Sequence, residues 1–532
     1  MRPLFVCKFI RVLPFVVWGL TVACGSDDPS AASTHCTGAS CSPGEGKDAG
    51  IETDDGGSWA KPDAASCTPS GADVPDDDFA DQNCDGIDGD LEKAIFVAPS
   101  GSDAAQGTRE SPVKTLNKAT ALAAASGKDV YACNGSYAEA LVVSSAVRLY
   151  GGYDCKNGWA RNKELAVIAP GSGKALTIEK VTGVVVDRFE LRAPDGGAAG
   201  QSSIAAVVRA SQGVRFNRVV FDAGEGASGL AGENAVAVTA PAPAGTEGTP
   251  ISVTKCSTTA TGECLGAPKG GKNYAEHSCG AATTRGGFGG HGGNVKGNTS
   301  TGDGQAGLNS ALGGKFPFAG SPGAPGAVGA HGKAGDAIGT VVSGEYVASN
   351  SGSSGVLGTL GLAGGGGAGG KSSWGCGSFC HDVGSGGGQG GYGGCGGGAG
   401  GGGAGGGASI ALLVIDSDVT LAWSTLRTAG GGSGGAPGAG AAGQPGGAAG
   451  KAGTHVNTIF QGQPGGAGGP GGEGGAGGPG GGGPSIGVLV AGSAPKTEAV
   501  TFDLGPGGAG GKAMAGASGA TGKSGDVVQV GP

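Results

Sequence analysis

Glycine occurs at every third position from Gly320 to Gly335, at 384, 387, 390, 393 and 396, and again from Gly462 to Gly483, where the chain reads Gly-Gly-Ala-Gly-Gly-Pro-Gly-Gly-Glu. Such a segment has almost no side chains with which to bury a core. It dominates the chain after about residue 280: 125 of 532 residues are glycine, roughly three times the ordinary share of about 7%. Three residues is the period of a polyproline-II helix. Collagen shares that period, but these runs are short, interrupted and poor in proline. The phase therefore predicts a bundle of extended left-handed helices, with glycine at the crowded contacts and backbone amides pairing between neighbours. Composition alone points instead to disorder, and the strict phase argues against that.

The remainder of the chain has a different grammar. Shifting it by 30 residues lays Ala175–Ile178, Gly183–Val186 and Phe189–Leu191 onto Ala205–Val208, Gly213–Phe216 and Val219–Phe221 without a gap. Three short strands per repeat predict an all-β solenoid, each turn burying its apolar face against the next. Ile410 to Leu426 and Ile486 to Phe502 repeat the theme, and Val356 to Leu360 is a weaker relative. The shift stacks Asp187 with Asn217 and Arg188 with Arg218. That ladder is either a ligand-binding array or a satisfied turn ladder on a solvated face, and the second is the simpler reading. Glycine enters after Leu191, Phe221, Leu360, Leu426 and Phe502, the same strand of each turn, so the excursions should emerge side by side along one edge.

From Ala94 the chain runs Ile-Phe-Val-Ala-Pro-Ser-Gly-Ser-Asp, then Gly-Thr, Pro112, a helical stretch to Ala125, and Asp129-Val-Tyr-Ala-Cys133-Asn-Gly-Ser-Tyr137. This ordered set resembles the N-terminal cap module of secreted bacterial proteins with a pectate-lyase-like right-handed parallel β-helix, over residues 94–155. The resemblance implies a right-handed parallel β-helix from 156 to 532, with a capping helix closing its open end. Long glycine-rich insertions are expected at about 285–340, 363–407, 430–484 and 505–532, and they resemble the repeats of PE-PGRS-type surface proteins.

The first residues are basic, and an apolar run from Val12 to Leu20 precedes Ala23-Cys24. The run is shorter than the roughly 20 residues a membrane span needs, so residues 1–23 read as a signal peptide. The junction resembles the lipobox of bacterial lipoproteins, which implies acylation of Cys24 and, with Gly25 beside it, an outer-membrane or cell-surface address. An ordinary cleavage site is the alternative. Residues 24–75 have scarcely any large apolar side chain and read as a disordered tether. Within 76–93, Asp81, Asn83, Asp85, the Ile87 carbonyl and Glu92 fall where an EF-hand-type loop supplies oxygens to Ca²⁺. Asp88 stands where EF-hands place an apolar residue and no helix precedes the loop. The stretch is more similar to the Asn-Cys-Asp-Gly calcium loops of secreted bacterial proteins, and a solvated acidic linker is the competing reading.

Of 14 cysteines, Cys7 lies in the signal and Cys24 is the anchor; the even remainder in an exported chain predicts disulfides. Proximity suggests Cys133 with Cys155, Cys256 with Cys264, and Cys376 or Cys380 with Cys395. Cys376, Cys380, His381 and Cys395 as a zinc site is a weaker alternative. The formal charge of −9, more negative once Arg2, Lys8 and Arg11 leave with the signal, argues against nucleic-acid binding. No organic cofactor is expected.

Catalysis on a β-helix needs clustered carboxylates and a positioned base. Asp187, Arg188, Glu190, Asn217, Arg218, Asp222, Asp416 and Asp418 are spread thinly, and the Gly-X-Ser-X-Gly match around Ser433 is incidental to polyglycine. His291, His331 and His455 read as exposed spacers. The expected function is a non-enzymatic structural or adhesive surface protein meeting extracellular polysaccharide or neighbouring surface proteins. The alternative is a carbohydrate-active enzyme, a lyase or hydrolase, and an ice-binding array is a minor third.

Overall fold

The computed structural model describes residues 67–251, 268–293, 311–348, 350–374, 381–514 and 516–531. Cys24, Cys256, Cys264, Cys376 and Cys380 lie outside the described residues. No helix among the described residues is long and apolar enough to cross a membrane.

The chain is built on three sheets of parallel strands that it visits in rotation. The first contains Ala94–Val97, Asp129–Cys133, Arg148–Asp154, Val185–Asp187, Val214–Asn217, Val419–Ala422 and Lys496–Glu498, with Ala160–Arg161 antiparallel to the third of these. The second contains Gly135–Tyr137, Ala166–Ile168, Phe189–Ala193, Val220–Glu225, Thr425–Gly430 and Thr501–Leu504. The third contains Leu141–Val143, Leu176–Glu179, Ser203–Arg209, Ser409–Ile415, Ser485–Ala491 and Ser524–Gln529.

The 30-residue repeat is the register itself: Leu176 pairs with Ala206, Val186 with Phe216 and Leu191 with Phe221. The later repeats dock in the same columns, Phe216 on Leu421 and Phe221 on Leu426, then Leu426 on Phe502. Side chains alternate in each strand, so Leu149, Val186, Phe216 and Leu421 stack inward from the first sheet to meet Ile168, Leu191, Phe221 and Leu426 from the second. The central strands of the third sheet, Ser203–Arg209, Ser409–Ile415 and Ser485–Ala491, are buried on both faces. Ile410, Leu413, Ile486 and Leu489 form an outer cluster covered by Ile338, Val341 and Tyr346, which explains the near-continuous apolar runs of its strands.

The expected capping helix is Leu116–Ser126. Thr115 Oγ1 accepts from the Lys118 amide and the Glu139 carboxylate takes the amides of Leu116 (2.7 Å) and Asn117 (3.1 Å), while Gly127 closes the other end in the left-handed region (φ 65°). Leu116, Ala119 and Ala123 enter the interior cluster at its N-terminal end.

Every excursion leaves the second sheet and returns to the third, as its common exit point predicted. The return residues Ser203, Ser409 and Ser485 are register partners. Ser203 Oγ donates to the Pro194 carbonyl (2.7 Å), Ser409 Oγ to that of Gly224 (2.7 Å), and Ser485 shares a hydrogen with Thr428 (2.7 Å), so a serine staples the root of each of these three excursions. The first long excursion begins at Gly226, well before the expected 285, and folds back on itself several times before Ser409. Val356–Leu360 is no strand of the sheets: Val356 and Leu357 are exposed within an extended tract. The tether expected through residue 75 is already fixed to the body at Cys67.

Candidate binding surface

Residues 67–92 form a strap over the first sheet. The Cys67–Cys84 disulfide and a hydrogen bond from the Ser70 amide to the Gln82 carbonyl (2.8 Å) close its base. Asp81 accepts from the amides of Asp85 (3.0 Å) and Gly86 (2.8 Å), Asn83 Oδ1 from that of Asp85 (2.9 Å), and Asp85 from those of Ile87 (3.2 Å) and Leu91 (2.8 Å). Short polar side chains fold a loop this way by taking its amides. Ile87 packs with Phe96, Tyr131, Tyr153 and Trp159. Glu92, the expected twelfth ligand, is exposed in the turn Leu91–Lys93, and no hydrogen bond among the described residues engages its carboxylate. Asp73, which the motif did not include, is only 6% exposed; its Oδ2 takes the Gln82 amide (3.1 Å) and its Oδ1 is buried without a partner. Burial, with the charges of Asp81 and Asp85 adding, holds its carboxyl above the usual range.

The strap is clamped by ion pairs. Arg161, its side chain 1% exposed, pairs with Asp88 (3.1 Å) and with Asp187, and donates to the carbonyls of Gly151 (3.0 Å) and Asp76 (2.8 Å). This is why Asp88 replaces the apolar residue of an EF-hand. Burial pushes its carboxyl up to about 6, against the opposing pull of Arg161. Asn217 donates to Asp187, and Asp77 bridges Arg188 (2.6 Å) and Arg218. Arg188 lies 4.7 Å over the Phe79 ring and Arg218 5.2 Å over that of Trp423. The ladder of Asp187, Arg188, Asn217 and Arg218 is therefore not the solvated face expected: Asp187 and Arg188 are buried beneath the strap. The left-handed φ of Arg188 (58°), Arg218 (52°) and Trp423 (44°) turns the chain from the first sheet into the second.

The tracts bond to one another at every third residue. In 384–407 the amides of Gly388, Gly391, Gly394 and Gly397 donate to the carbonyls of Gln463, Gly466, Gly469 and Gly472, at 2.8–2.9 Å. Those of Gln389 and Tyr392 donate to Thr246 and Pro243, and the carbonyls of Gln389 and Tyr392 accept from Gly450 and Gly447. This non-glycine position of the repeat carries Gln389, Tyr392 and Cys395, whose side chains hold the hairpin of His277–Cys279 and Ala282–Thr284. Gln389 Nε2 donates to the Asn273 carbonyl (3.1 Å), Tyr392 OH to that of Ala275 (2.9 Å), and Cys395 forms a disulfide with Cys279.

This disulfide corrects the pairing of Cys395 with Cys376 or Cys380 and removes Cys395 from the zinc alternative. Cys133–Cys155 forms as expected. His277 lies 3.4 Å from Cys395 Sγ, so His277, Cys279 and Cys395 are near enough to ligate an ion, but sulfurs joined in a disulfide are not thiolate ligands. Proteolysis without reductant should recover the Cys279 and Cys395 peptides joined, separating on reduction. Cys279→Ser, which opens a loop of 116 residues, should cost about 2–5 kcal/mol in chemical denaturation.

Of the remaining polar candidates, Asp416 is exposed with no ion pair among the described residues, and the others pair internally. Glu190 and Asp222 share Arg192, and Asp418 pairs with Lys496 (3.2 Å). A groove of about 560 Å³ beside Lys174, Asp195 and Tyr346 has its charges engaged, Lys174 by Glu345 (2.5 Å) and Asp195 by the Glu225 amide (2.7 Å). Ser433 donates to Ser228 (2.9 Å). His291 and His331 are exposed, whereas His455 is buried with its ring 5.6 Å from that of Phe460, not a spacer. Comparison of the chain with protein-family models, with curated proteins and with solved structures gave no match.

Proposed function

We propose that the chain is a non-enzymatic surface lipoprotein that presents an ordered glycine array on a right-handed parallel β-helix, for structural or adhesive contact with extracellular polysaccharide or neighbouring surface proteins. Three parallel sheets visited in rotation at a 30-residue register support the helix, and parallel crossovers are right-handed in about 98% of cases. Bonding between tracts at every third residue supports the polyproline-II conformation. Cleavage after Ala23 and acylation of Cys24 would place the body outside the cell on its anchor. One observation carries the functional reading. The excursions share one edge and consume their interior amides in each other, which yields broad faces of small side chains, while Arg161, Asp187, Arg188, Glu190, Arg192 and Asp222 of the β-sheets are spent on internal pairs.

Incubation of the purified ectodomain with a panel of acidic and neutral polysaccharides should give retention on the immobilised glycan with no new chain ends. Release of unsaturated or reducing ends would establish the carbohydrate-active enzyme instead. Incorporation of labelled fatty acid, lost in Cys24→Ala, tests the anchor.

The Asp81 loop is further proposed to take Ca²⁺. Its donors are hard oxygens, the Asp73 Oδ1 is orphaned beside them, and Asp81, Asn83, Asp85 and the Ile87 carbonyl would hold the ion, which would supply a charge that stiffens the strap. Saturating Ca²⁺ at a hundred times its dissociation constant should stabilise the ectodomain by about 2.7 kcal/mol, reversed by chelator. Asp85→Asn should abolish the shift, whereas Glu92→Gln should leave most of it.

A further inference from the structure

Around residues 384–392 the central tract is enclosed on all sides. Its hydrogen-bonded neighbours are 243–249, 268–272, 285–293, 364–370, 447–453 and 462–468, and each is bonded in turn to those beside it. The tract 285–293 occupies its place by taking the amides of Gly387 and Gly390 on the carbonyls of Gly290 and Gly287 (2.9 Å each), and 268–272 by donating from Gly271 to the Gly387 carbonyl (2.8 Å). Both of these tracts end at the hairpin, near Cys395.

Beyond it the central tract continues toward Ser409 with the same phase but without those two neighbours. Gly396, Ala399 and Gly402 are the next positions of that phase, and among the described residues neither their amides nor their carbonyls have a hydrogen-bond partner. Gly402 lies in a groove of about 430 Å³ whose floor also includes Gly401 and Ala404, with walls made by Leu230–Glu233 and by Ser351 and Ser354, and Gly396 and Ala399 precede it on the same tract. Leu230 and Leu357 stand exposed at 67% and 64%.

Proline marks this row as different from the other outward ones. Pro322, Pro325, Pro437, Pro464, Pro470 and Pro479 sit in neighbouring tracts at positions whose N–H would have no partner in the bundle, so they blunt those edges. Tract 384–407 contains no proline. Its outward donors are retained, and they stand in line with the place that 285–293 fills.

We infer that this groove is a docking track for one extended glycine-repeat strand of another polypeptide, bound by main-chain hydrogen bonds to Gly396, Ala399 and Gly402. The occupant continues the row of 285–293. Its glycines face the central tract and the adjoining tract 351–358, and its third residue faces solvent. Three rungs spaced three residues apart span about 19 Å at ~3.1 Å per residue, so seven residues suffice. This recognition is the glycine-tract counterpart of adding a strand to a sheet edge. It stands on the amide pattern and does not depend on where the protein is displayed.

The probe is a fluorescent (Gly-Gly-Ala)₅ peptide titrated into the whole ectodomain, with a matched peptide whose glycines are N-methylated. The first should bind and the second should bind at least tenfold more weakly. Ala399→Pro removes the central donor while keeping an extended φ, so it should weaken binding at least tenfold with an unchanged unfolding midpoint. The amides of Gly396, Ala399 and Gly402 should gain protection from hydrogen exchange when peptide is added. Failure of the wild type to bind, equal binding by Ala399→Pro, or protection elsewhere overturns the inference. A polysaccharide that protects these amides where the peptide does not would also overturn it.

Discussion

Replacing Gly397 with alanine is expected to destabilise the ectodomain by about 3–5 kcal/mol, whereas the same change at its neighbour Gly398 should alter stability by less than about 1 kcal/mol. A Cβ on Gly397 would fall well inside van der Waals contact with the Ala441 carbonyl oxygen and 2.8 Å from the Gly474 amide nitrogen. Both are backbone atoms of tracts that are themselves bonded on other sides, so neither can yield alone. Overpacking costs about 1–3 kcal/mol. Moving the tracts apart also weakens the bonds from Gly397 to Gly472 (2.8 Å) and from Ala441 to Gly398 (2.9 Å), each worth about 1 kcal/mol. On Gly398 the new Cβ meets only the Ala235 methyl at 3.1 Å, and the entropy removed from the unfolded chain, worth about 0.4–1 kcal/mol, offsets that contact. Denaturant midpoints for the two variants, at an unchanged slope, measure the difference. Equal midpoints would show that the tracts do not pack as described.

The same geometry explains what the sequence made legible. A residue facing a neighbouring tract must be glycine because its Cβ would strike a carbonyl, so strict packing writes itself as a strict period in 320–335 and 462–483. Tract 226–251 obeys the rule more loosely. Ala235 and Ala242 donate at places where glycine recurs elsewhere, so its low glycine density hid an excursion that starts at Gly226. The 30-residue register was readable because inward positions are spaced identically in successive repeats. Long-range partners were not. Asp77 meets Arg188 across 111 residues and Cys279 meets Cys395 across 116, and nothing local in the chain encodes either pairing. The ladder of Asp187 and Arg188 was visible, but not that an upstream strap covers it, because the strap's own composition resembles that of a tether.

That strap should come loose when Arg161 is removed, and Arg161→Met is expected to cost about 3–5 kcal/mol. The guanidinium is the common partner of Asp88, 3% exposed, and Asp187, 5% exposed. Taking it away leaves the buried Asp88 carboxylate without a counter-charge and Asp187 with only the more distant Arg188 (3.8 Å), and breaking a buried pair from one side costs far more than the pair itself contributes. The Asp76 and Gly151 carbonyls lose a donor as well. If uncompensated charge is the cause, Arg161→Met combined with Asp88→Asn and Asp187→Asn should recover most of the loss, since amides of the same shape need no counter-ion. If Arg161 acts mainly by packing against the rings of Tyr150 and Tyr153, 5.6 and 5.7 Å from its guanidinium, the triple variant should be no better than the single one. Limited proteolysis separates local from global effects. Cleavage confined to residues 67–92 in the single variant, with the sheets intact, would show that Arg161 fastens the strap to a body that is stable without it, whereas digestion of the whole ectodomain would show that the first sheet depends on that cover.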